Sequence, residues 1–325
     1  MDSITQAVLG AAVGETVLGK KIGHRAAIIG AIVGTIPDLD ILLTPLFGSV
    51  ERLSVHRGYS HSILFCLLGA LLLSYLMSKW KPKSEVIMDI SFRRLWVFNF
   101  LALFTHVLLD AFTTYGTLLF LPLSDKRVSF DSVNIVDPVY TIPLIIGLVI
   151  SMRREKLSEE RSIPNWIGIG VSTLYLLFTL GHKSHMNKTL KEELFEQSII
   201  YEDLLTVPVG IGNMNWYGVA RSADSLYIGY LSDNGHKHVP FDAFPINDQL
   251  LSDVDEYTAE RLRWFSQGFY TVAEKDGIIR VYNMQCDMQG VRMYGDYKAP
   301  TAFYFELSPN EDGDHEMTTG MHDRD

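Results

Sequence analysis

Residues 62–78 read SILFCLLGALLLSYLMS and carry no charged side chain over 17 positions. As an α-helix this stretch would be about 26 Å long, close to the roughly 30 Å hydrocarbon layer of a bilayer. Residues 163–181, which read IPNWIGIGVSTLYLLFTLG, are also uncharged and long enough to span that layer. The sequence therefore predicts a membrane protein built from apolar helices.

Two more spans are predicted between these stretches. One lies near residues 95–114, where the only ionisable side chains are His106 and Asp110. The other covers residues 139–152, which are short for a span, but the positions just before them add a single charge, Asp137. Ionisable side chains at membrane depth usually face a protein-lined cavity with a partner.

The first 61 residues are predicted to form a helical hairpin that dips into the membrane. Residues 3–19 and 26–36 are apolar but individually marginal as spans, and a polar turn lies between them. Gly10 with Gly14, and Gly30 with Gly34, form G-x-x-x-G pairs, which let helix backbones approach closely. The alternative is a pair of buried core helices. Glu15 in the first helix is either a packing partner or a proton-relay residue.

The charge differs sharply between the two parts of the chain. Residues 1–181 hold 16 Lys and Arg against 14 Asp and Glu, whereas residues 182–325 hold 12 against 24. The first part is apolar and weakly basic and the second is polar and acidic. A nucleic-acid partner is excluded, because phosphate binding needs a cationic surface.

The basic residues predict an orientation through the positive-inside rule. Twelve of them fall in the turn 20–25 and the loops 79–94 and 153–162, against four in the loops 49–61 and 124–131. We therefore expect six membrane segments in the inner membrane, with both termini and the acidic C-terminal domain outside the cytoplasm.

The C-terminal part changes to strand signals near residue 205. Two candidate hairpins, at residues 216–231 and 269–282, precede the strand-like TAFYFEL at 301–307, and residues 183–200 and 254–266 look helical. The predicted fold class is an α-helical polytopic membrane domain (1–182) followed by a small β-rich α+β soluble domain (183–308). An acidic tail (309–325) is expected to be disordered.

Three motifs bring imidazoles and carboxylates to the predicted outer side of the membrane. They are Pro37-Asp38-Leu39-Asp40, His56-Arg57-Gly58-Tyr59-Ser60-His61-Ser62 and His106-x-x-x-Asp110, whose i, i+4 spacing places both side chains on one helix face. Taken singly they could be a capping turn, a polar interfacial loop and a coincidental hydrogen bond. Together they predict a metal site with nitrogen and oxygen ligands, which suits Zn and also Mn or Fe.

The ionisable residues of these motifs have predicted roles in such a site. The metal ligands are predicted to be Asp38, His56, His61, His106 and Asp110. The predicted catalytic residues are Asp40, which would hold a ligating imidazole in one tautomer, and Arg57, which would neutralise a substrate phosphate or carboxylate. His56 is alternatively an outer partner of the site, and Arg57 alternatively a snorkelling interfacial side chain.

These motifs, together with Asp2-Ser3-Ile4-Thr5 and Thr113-Thr114-Tyr115-Gly116, carry a resemblance over roughly residues 1–150. The chain resembles the membrane-bound metal-dependent hydrolases typified by YdjM and YfhP, described as LexA-binding and associated with the inner membrane. It is more distantly similar to zinc-dependent phospholipase C. The resemblance implies metal-dependent hydrolysis, with a phosphoester as the expected substrate. Gln6 departs from the pattern, since many relatives have His after the D-S-x-T string.

The leading functional prediction is therefore a multi-pass membrane hydrolase that acts on a phosphoester or lipid-like substrate through a metal-activated water. Its partners would be membrane lipid and a small-molecule or lipid substrate. The alternative is a non-catalytic regulatory or partner-binding membrane protein with a structural metal site. A proton-relaying transporter ranks last, because the expected internal repeat is absent from the sequence.

Overall fold

The structure is a computed structural model that describes residues 1–79, 90–232, 238–285, 292–294, 297–299, 303–309 and 315–321. The chain divides into two compact units. The helical unit comprises residues 1–45 and 54–181, and the β-rich unit comprises residues 46–53 and 182–325. The predicted fold class, a polytopic helical membrane domain followed by a small α+β domain, is confirmed. The loop residues Lys81 and Lys83 lie outside the described residues.

Within its described residues, the helical unit contains seven α-helices and three intervening 3-10 helices. The α-helices are α1 (Ser3–Ile22), α2 (Arg25–Thr35), α3 (Arg52–Val55), α4 (Ile63–Lys79), α5 (Phe92–Ala111), α6 (Pro138–Met152) and α7 (Ile163–Glu196), of which α3 lies at the unit boundary and α7 continues into the β-rich unit. The 3-10 helices are Pro37–Leu46, Tyr59–His61 and Glu159–Ser162.

Three helical stretches are long and apolar enough to cross a membrane: 25–46, 92–111 and 159–196. Residues 52–61 and 63–79 form a pair bent by 57°, which makes a fourth crossing if the pair is one span. α6 is apolar but has only 15 residues, and α1 is not among the candidate spans of the described residues. Length and composition thus support three or four crossings, fewer than the six predicted segments.

The glycines of α1 and α2 bring the two backbones into direct contact, as the G-x-x-x-G pairs predict. A Cβ atom added at Gly10 would lie 2.9 Å from the Cα of Gly34, and one added at Gly30 would lie 2.2 Å from the carbonyl oxygen of Gly10. Real Cβ atoms essentially never approach that closely. The hairpin therefore needs glycine at these positions, and the C-terminal end of α2, including Gly34, lies directly against α1.

We expect Gly10→Leu to destabilise the helical unit by about 1–3 kcal/mol or more, because the new side chain must push the two backbones apart. SDS-induced unfolding in mixed micelles measures the change. Gly170→Leu is the matched control, since Gly170 lies in membrane helix α7 with no atom within 4 Å of an added Cβ. Equal stability of the two variants would contradict the close-packed hairpin.

Helix α5 occupies the centre of the helical unit. Its side chains Leu95, Phe98 and Leu103 are almost fully buried, and they form one core cluster with Leu18 of α1 and Cys66 of α4. The same helix carries His106 and Asp110, both buried, near its C-terminal end. The packing that buries α5 therefore also fixes the position of these two polar side chains.

The part of the β-rich unit that the structure describes contains two four-stranded antiparallel sheets. The first has the order β1-β2-β3-β4 and the second the order β10-β9-β6-β5, while β7 and β8 form a separate two-stranded ribbon. The strands are β1 (Asp203–Val209), β2 (Asn215–Arg221), β3 (Ser225–Ser232), β4 (Phe241–Pro245), β5 (Tyr270–Lys275), β6 (Ile278–Asn283), β7 (Arg292–Tyr294), β8 (Tyr297–Ala299), β9 (Phe303–Pro309) and β10 (His315–Met321). Helix α8 (Glu256–Phe265) lies between the two sheets in the sequence.

The prediction of a disordered tail from residue 309 is wrong for residues 315–321. They form β10, which pairs antiparallel with β9 in a register that places Met317 opposite Leu307. Met317 is buried although its neighbours are polar. The hydrogen bonds of the neighbouring strand compensate for a composition too polar to predict a strand. Residues 310–314 and 322–325 of the predicted tail lie outside the described residues.

Candidate metal centre

The candidate site is assembled from three separate parts of the helical unit. Asp38 lies at the start of the 3-10 helix Pro37–Leu46 that follows α2, and His61 ends the 3-10 helix Tyr59–His61 before α4. His106 and Asp110 lie one turn apart on α5. Together these four residues form a group that could hold a metal ion. The structure thus brings together four of the five residues that the sequence predicts as ligands.

The ligand atoms of these four residues are spaced as a metal ion requires. The Nε2 atom of His61 lies 3.5 Å from Oδ1 of Asp38, 3.2 Å from Oδ2 of Asp110 and 3.3 Å from Nε2 of His106. The Nε2 atom of His106 lies 3.4 Å and 3.5 Å from the same two oxygens. Four ligands placed tetrahedrally around Zn at its usual bond lengths are roughly 3.4 Å apart.

Hydrogen bonds fix the tautomers of both imidazoles. Nδ1 of His106 lies 2.6 Å from the carbonyl oxygen of Gly34, and a carbonyl only accepts, so Nδ1 must carry the proton. Nδ1 of His61 lies 2.9 Å from the hydroxyl of Ser60, which donates onward to Asp40. With both rings neutral, as metal binding requires, each Nε2 would direct its lone pair into the centre of the group.

This arrangement fits a bound cation. Two nitrogen lone pairs and two carboxylate oxygens face one another, and His61, His106 and Asp110 are almost entirely buried. Oδ2 of Asp110 has no hydrogen-bond partner within the described part of the chain. Such a group of acceptors without a donor is costly in a buried place unless a cation neutralises it. The mixed nitrogen and oxygen set, which lacks thiolate, suits Zn, Mn or Fe.

Asp40 lies outside the group of four and contacts one of its members, His61. Its Oδ1 is 2.9 Å from Nδ1 of His56, and its Oδ2 accepts hydrogen bonds from the Ser60 hydroxyl and, at 3.0 Å, from the backbone N–H of Arg57. Oδ2 also lies 3.3 Å from Nδ1 of His61. One carboxylate therefore orients the ligating His61 together with the turn that carries it.

His56, predicted as a metal ligand, lies outside the group of four. Its ring is 6.0 Å from that of His61, measured between centroids, and its Nδ1 faces Asp40. The side chain is partly exposed, unlike the buried side chain of His61. The structure therefore places His56 as an outer partner of the site, which is the alternative that the sequence left open.

Arg57 lies against the ligand Asp110 from the other side. Its Nη2 is 3.3 Å from Oδ1 of Asp110, its Nη1 donates to the hydroxyl of Thr113 at 2.9 Å, and its guanidinium stacks on the ring of Tyr115 at 4.9 Å. The side chain is nearly buried, so it is not a snorkelling interfacial residue.

The backbone of Arg57 adopts a strained conformation at this position. Its φ of +59° lies in the left-handed region that favours glycine. Such a conformation costs on the order of 1–3 kcal/mol and persists where its surroundings hold it. Two hydrogen bonds hold Arg57 in this conformation. Its backbone N–H donates to the carboxylate of Asp40, and its carbonyl accepts from the backbone N–H of Leu118.

Gln6 occupies the position at which many members of the resembled family have histidine. It is buried, and its Nε2 donates to Oδ1 of Asp110 at 2.9 Å. The amino group of Met1 contacts the same oxygen. Gln6 therefore orients a ligand rather than joining the four. The sequence did not predict three contacts of the site, because no local pattern marks them. They are the hydrogen bond from Gln6 to Asp110, the Ser60 hydroxyl between His61 and Asp40, and the Gly34 carbonyl beside His106.

The site has one partly open edge. The side chain of Asp38 is 24 % exposed, whereas those of His61, His106 and Asp110 are at most 1 % exposed. Exposed apolar residues follow Asp38 along the 3-10 helix, namely Leu39, Ile41, Leu42 and Leu43. A molecule that reaches the four ligand atoms therefore approaches past Asp38 and an apolar segment.

The fold and the site together define a class: a multi-pass membrane protein with a buried His/Asp group of metal-binding geometry. The chain belongs to the YdjM inner membrane protein family, whose model matches residues 1–186. It is 30 % identical over 244 residues to the uncharacterised protein YfhP of Bacillus subtilis, covering 73 % of this chain and 69 % of YfhP. It is 29 % identical over 113 residues to the inner membrane protein YbcI of Escherichia coli, covering 35 % of this chain and 61 % of YbcI. No solved structure matches the chain.

Proposed function

We propose that the protein is a membrane-bound metal-dependent hydrolase that acts on a phosphoester or lipid-like substrate. The single observation that carries the proposal is the convergence of four ligand atoms from Asp38, His61, His106 and Asp110, all within 4.8 Å of one another. Its membrane location follows from the family and from the apolar helices. Zn is the metal that the donor set and spacing favour, with Mn or Fe as alternatives.

The chemistry follows from the residues around the group. A divalent metal held there would lower the pKa of a water molecule and polarise a phosphoryl or carbonyl oxygen. Asp40 keeps His61 in the tautomer that presents Nε2 to the site. The guanidinium of Arg57 provides planar donors that match the oxygens of a phosphate or carboxylate. Its Nε is buried and has no hydrogen-bond partner among the residues described.

The apolar segment beside Asp38 supports a lipid-like substrate. Leu39, Ile41, Leu42 and Leu43 have half or more of their side-chain surface exposed. In a membrane these side chains would contact acyl chains, while the polar group lies just beyond Asp38. A substrate with an anionic head and an apolar tail would satisfy both environments.

We further propose that the C-terminal unit lies outside the cytoplasm. The support is the distribution of basic residues, which places the turn 20–25 and the loops 79–94 and 153–162 on the cytoplasmic side. The β-rich unit would then select substrate or bind a regulatory protein on that side of the membrane.

A second function also has an observation in its favour. Structural metal sites are closed, whereas catalytic sites keep an open position. Three of the four candidate ligands here are almost completely buried. The alternative is therefore a non-catalytic regulatory or partner-binding membrane protein in which the metal stabilises the helical unit.

The experiment that separates the two proposals uses the full-length protein in detergent or vesicles. Metal content is measured first, and a panel of phosphoesters and phospholipids is then tested for hydrolysis. A hydrolase should lose more than about 100-fold of its kcat/KM in His106→Ala, since bound metal contributes several kcal/mol to the reaction. His24→Ala, an exposed histidine of the same unit, should retain full activity.

Each outcome of this experiment has a distinct meaning. Metal-loaded wild-type protein that hydrolyses no member of the panel supports the structural alternative. A turnover that His106→Ala leaves unchanged would remove the four-residue group from the reaction. Wild-type protein that contains no metal would contradict both proposals.

A further inference from the structure

The loop between β1 and β2 carries two exposed apolar side chains. It comprises residues 210–214, Gly-Ile-Gly-Asn-Met. Ile211 is 63 % exposed and Met214 is 60 % exposed. Gly210, Gly212 and Asn213 have positive φ values of 75°, 76° and 64°, so a tight turn holds Ile211 outward.

This loop is fixed to one point on helix α7. The Nδ1 atom of His182 lies 3.0 Å from Oδ1 of Asn213, and the ring of His182 packs edge-on against that of Trp216. Trp216 is fully buried and donates through its Nε1 to the carbonyl of Asn213 at 3.0 Å. The loop is therefore held at the level of residue 182.

Residue 182 marks the end of the membrane stretch of α7. The uncharged run 163–181 ends at Gly181, and His182 and Lys183 are the first polar and charged side chains after it. The helix continues without a break to Glu196. Residue 182 thus lies at the polar boundary of the bilayer.

The hairpin formed by β1 and β2 extends away from this boundary along α7. The hydroxyl of Thr206 on β1 donates to Oδ1 of Asn187 at 2.7 Å, and Gly218 on β2 lies directly against the side chain of Leu190. Contacts that are further from the loop therefore fall further along the helix from residue 182. The closed end of the hairpin, with Ile211 and Met214, is therefore the end nearest to residue 182 on α7.

We infer that the β1–β2 loop is a lipid-contacting element, in which Ile211 and Met214 insert into the headgroup region of the leaflet where α7 leaves the membrane. Exposed apolar side chains beside a membrane span lower their free energy by entering the interface, about 5–10 Å into the headgroup and acyl boundary. The bilayer itself would cover this apolar surface, because the predicted membrane span of α7 directly precedes His182. The inference does not depend on the metal centre.

The test uses full-length protein in phosphatidylcholine vesicles. Single cysteines are introduced as Ile211→Cys and Met214→Cys in a Cys286→Ser background, where the remaining Cys66 is buried. Each is labelled with a nitrobenzoxadiazole fluorophore, and quenching by lipids that carry a nitroxide on the upper acyl chain is compared with quenching by aqueous iodide. We expect the lipid quencher to lower the emission of both labels by at least about two-fold.

The matched control is Phe195→Cys, another exposed apolar position of the same unit. It lies 13 residues beyond His182 on the same helix, about 20 Å further from the bilayer boundary. Its label should respond to iodide and not to the nitroxide lipid. Labels at 211 and 214 that respond to iodide alone, as the control does, would overturn the inference. The Cys286→Ser protein without an introduced cysteine is treated with the same label and measures any reaction of Cys66.

Discussion

Replacement of His61 with alanine is expected to lower the metal affinity of the protein by more than about 100-fold, because loss of an outer-shell partner alone costs about 10–100-fold. The Nε2 atom of His61 lies within 3.5 Å of the ligand atoms of Asp38, His106 and Asp110, so it touches every member of the group. Its removal leaves three donors around an open position. Metal content after purification and competition with a chelating dye measure the change.

A graded series tests whether the geometry, and not merely the fold, holds the metal. Asp110→Asn keeps the size of the side chain while removing its charge, and should match the loss in His61→Ala. Asp40→Asn should cost about 10–100-fold, since Asp40 acts through the orientation of His61. His24→Ala should change nothing. A His61→Ala protein that keeps wild-type affinity while remaining helical and monodisperse would show that the four residues are not the site.

Much of the helical unit could be predicted from local sequence. Uncharged runs such as 62–78 identify α4 because a charged side chain is costly in hydrocarbon. The His106 and Asp110 pair was predictable because an α-helix places residues i and i+4 on one face. The G-x-x-x-G pairs predicted the contact of α1 with α2, since spacing alone aligns the glycines.

The rest of the site depends on tertiary structure that no spacing encodes. His56 and His61 are similar in sequence context, yet one faces Asp40 and the other faces the metal group. The positive φ of Arg57 separates them, and it arises from bonds to Asp40 and Leu118 that are distant in sequence. The close contact of Gly147 with Gly168, 3.1 Å from an added Cβ to a Cα, likewise joins α6 and α7 without any local repeat.

The sequence allows two roles for Glu15, a helix-packing partner or a proton-relay residue, and the structure favours the packing partner. Its carboxylate accepts two hydrogen bonds from Arg161, at 2.7 Å from Nε and 3.0 Å from Nη2, and both side chains are 1 % exposed. The guanidinium also donates from Nη1 to the carbonyl of Arg154 at 2.8 Å. The pair therefore fastens the 3-10 helix Glu159–Ser162 to the middle of α1.

Arg161→Leu is expected to reduce the free energy of unfolding by about 3–5 kcal/mol, because it leaves the carboxylate of Glu15 buried without its cation. SDS-induced unfolding in mixed micelles measures the loss. The exposed pair of Arg154 with Glu160 is the matched control, since its side chains are 38 % and 70 % exposed. Arg154→Leu should change stability by no more than about 1 kcal/mol.

The double variant Glu15→Leu with Arg161→Leu separates the cost of an unpaired charge from the value of the pair. A buried ion pair replaced by apolar side chains of similar volume is often nearly neutral, whereas breaking it from one side is costly. We therefore expect the double variant to regain most of the stability that Arg161→Leu loses. A double variant as unstable as the single one would instead show that the two hydrogen bonds themselves stabilise the helical unit. If Arg161→Leu has no greater effect than Arg154→Leu, Glu15 does not depend on Arg161 for its burial, and a proton-bearing role for this carboxylate becomes the better explanation.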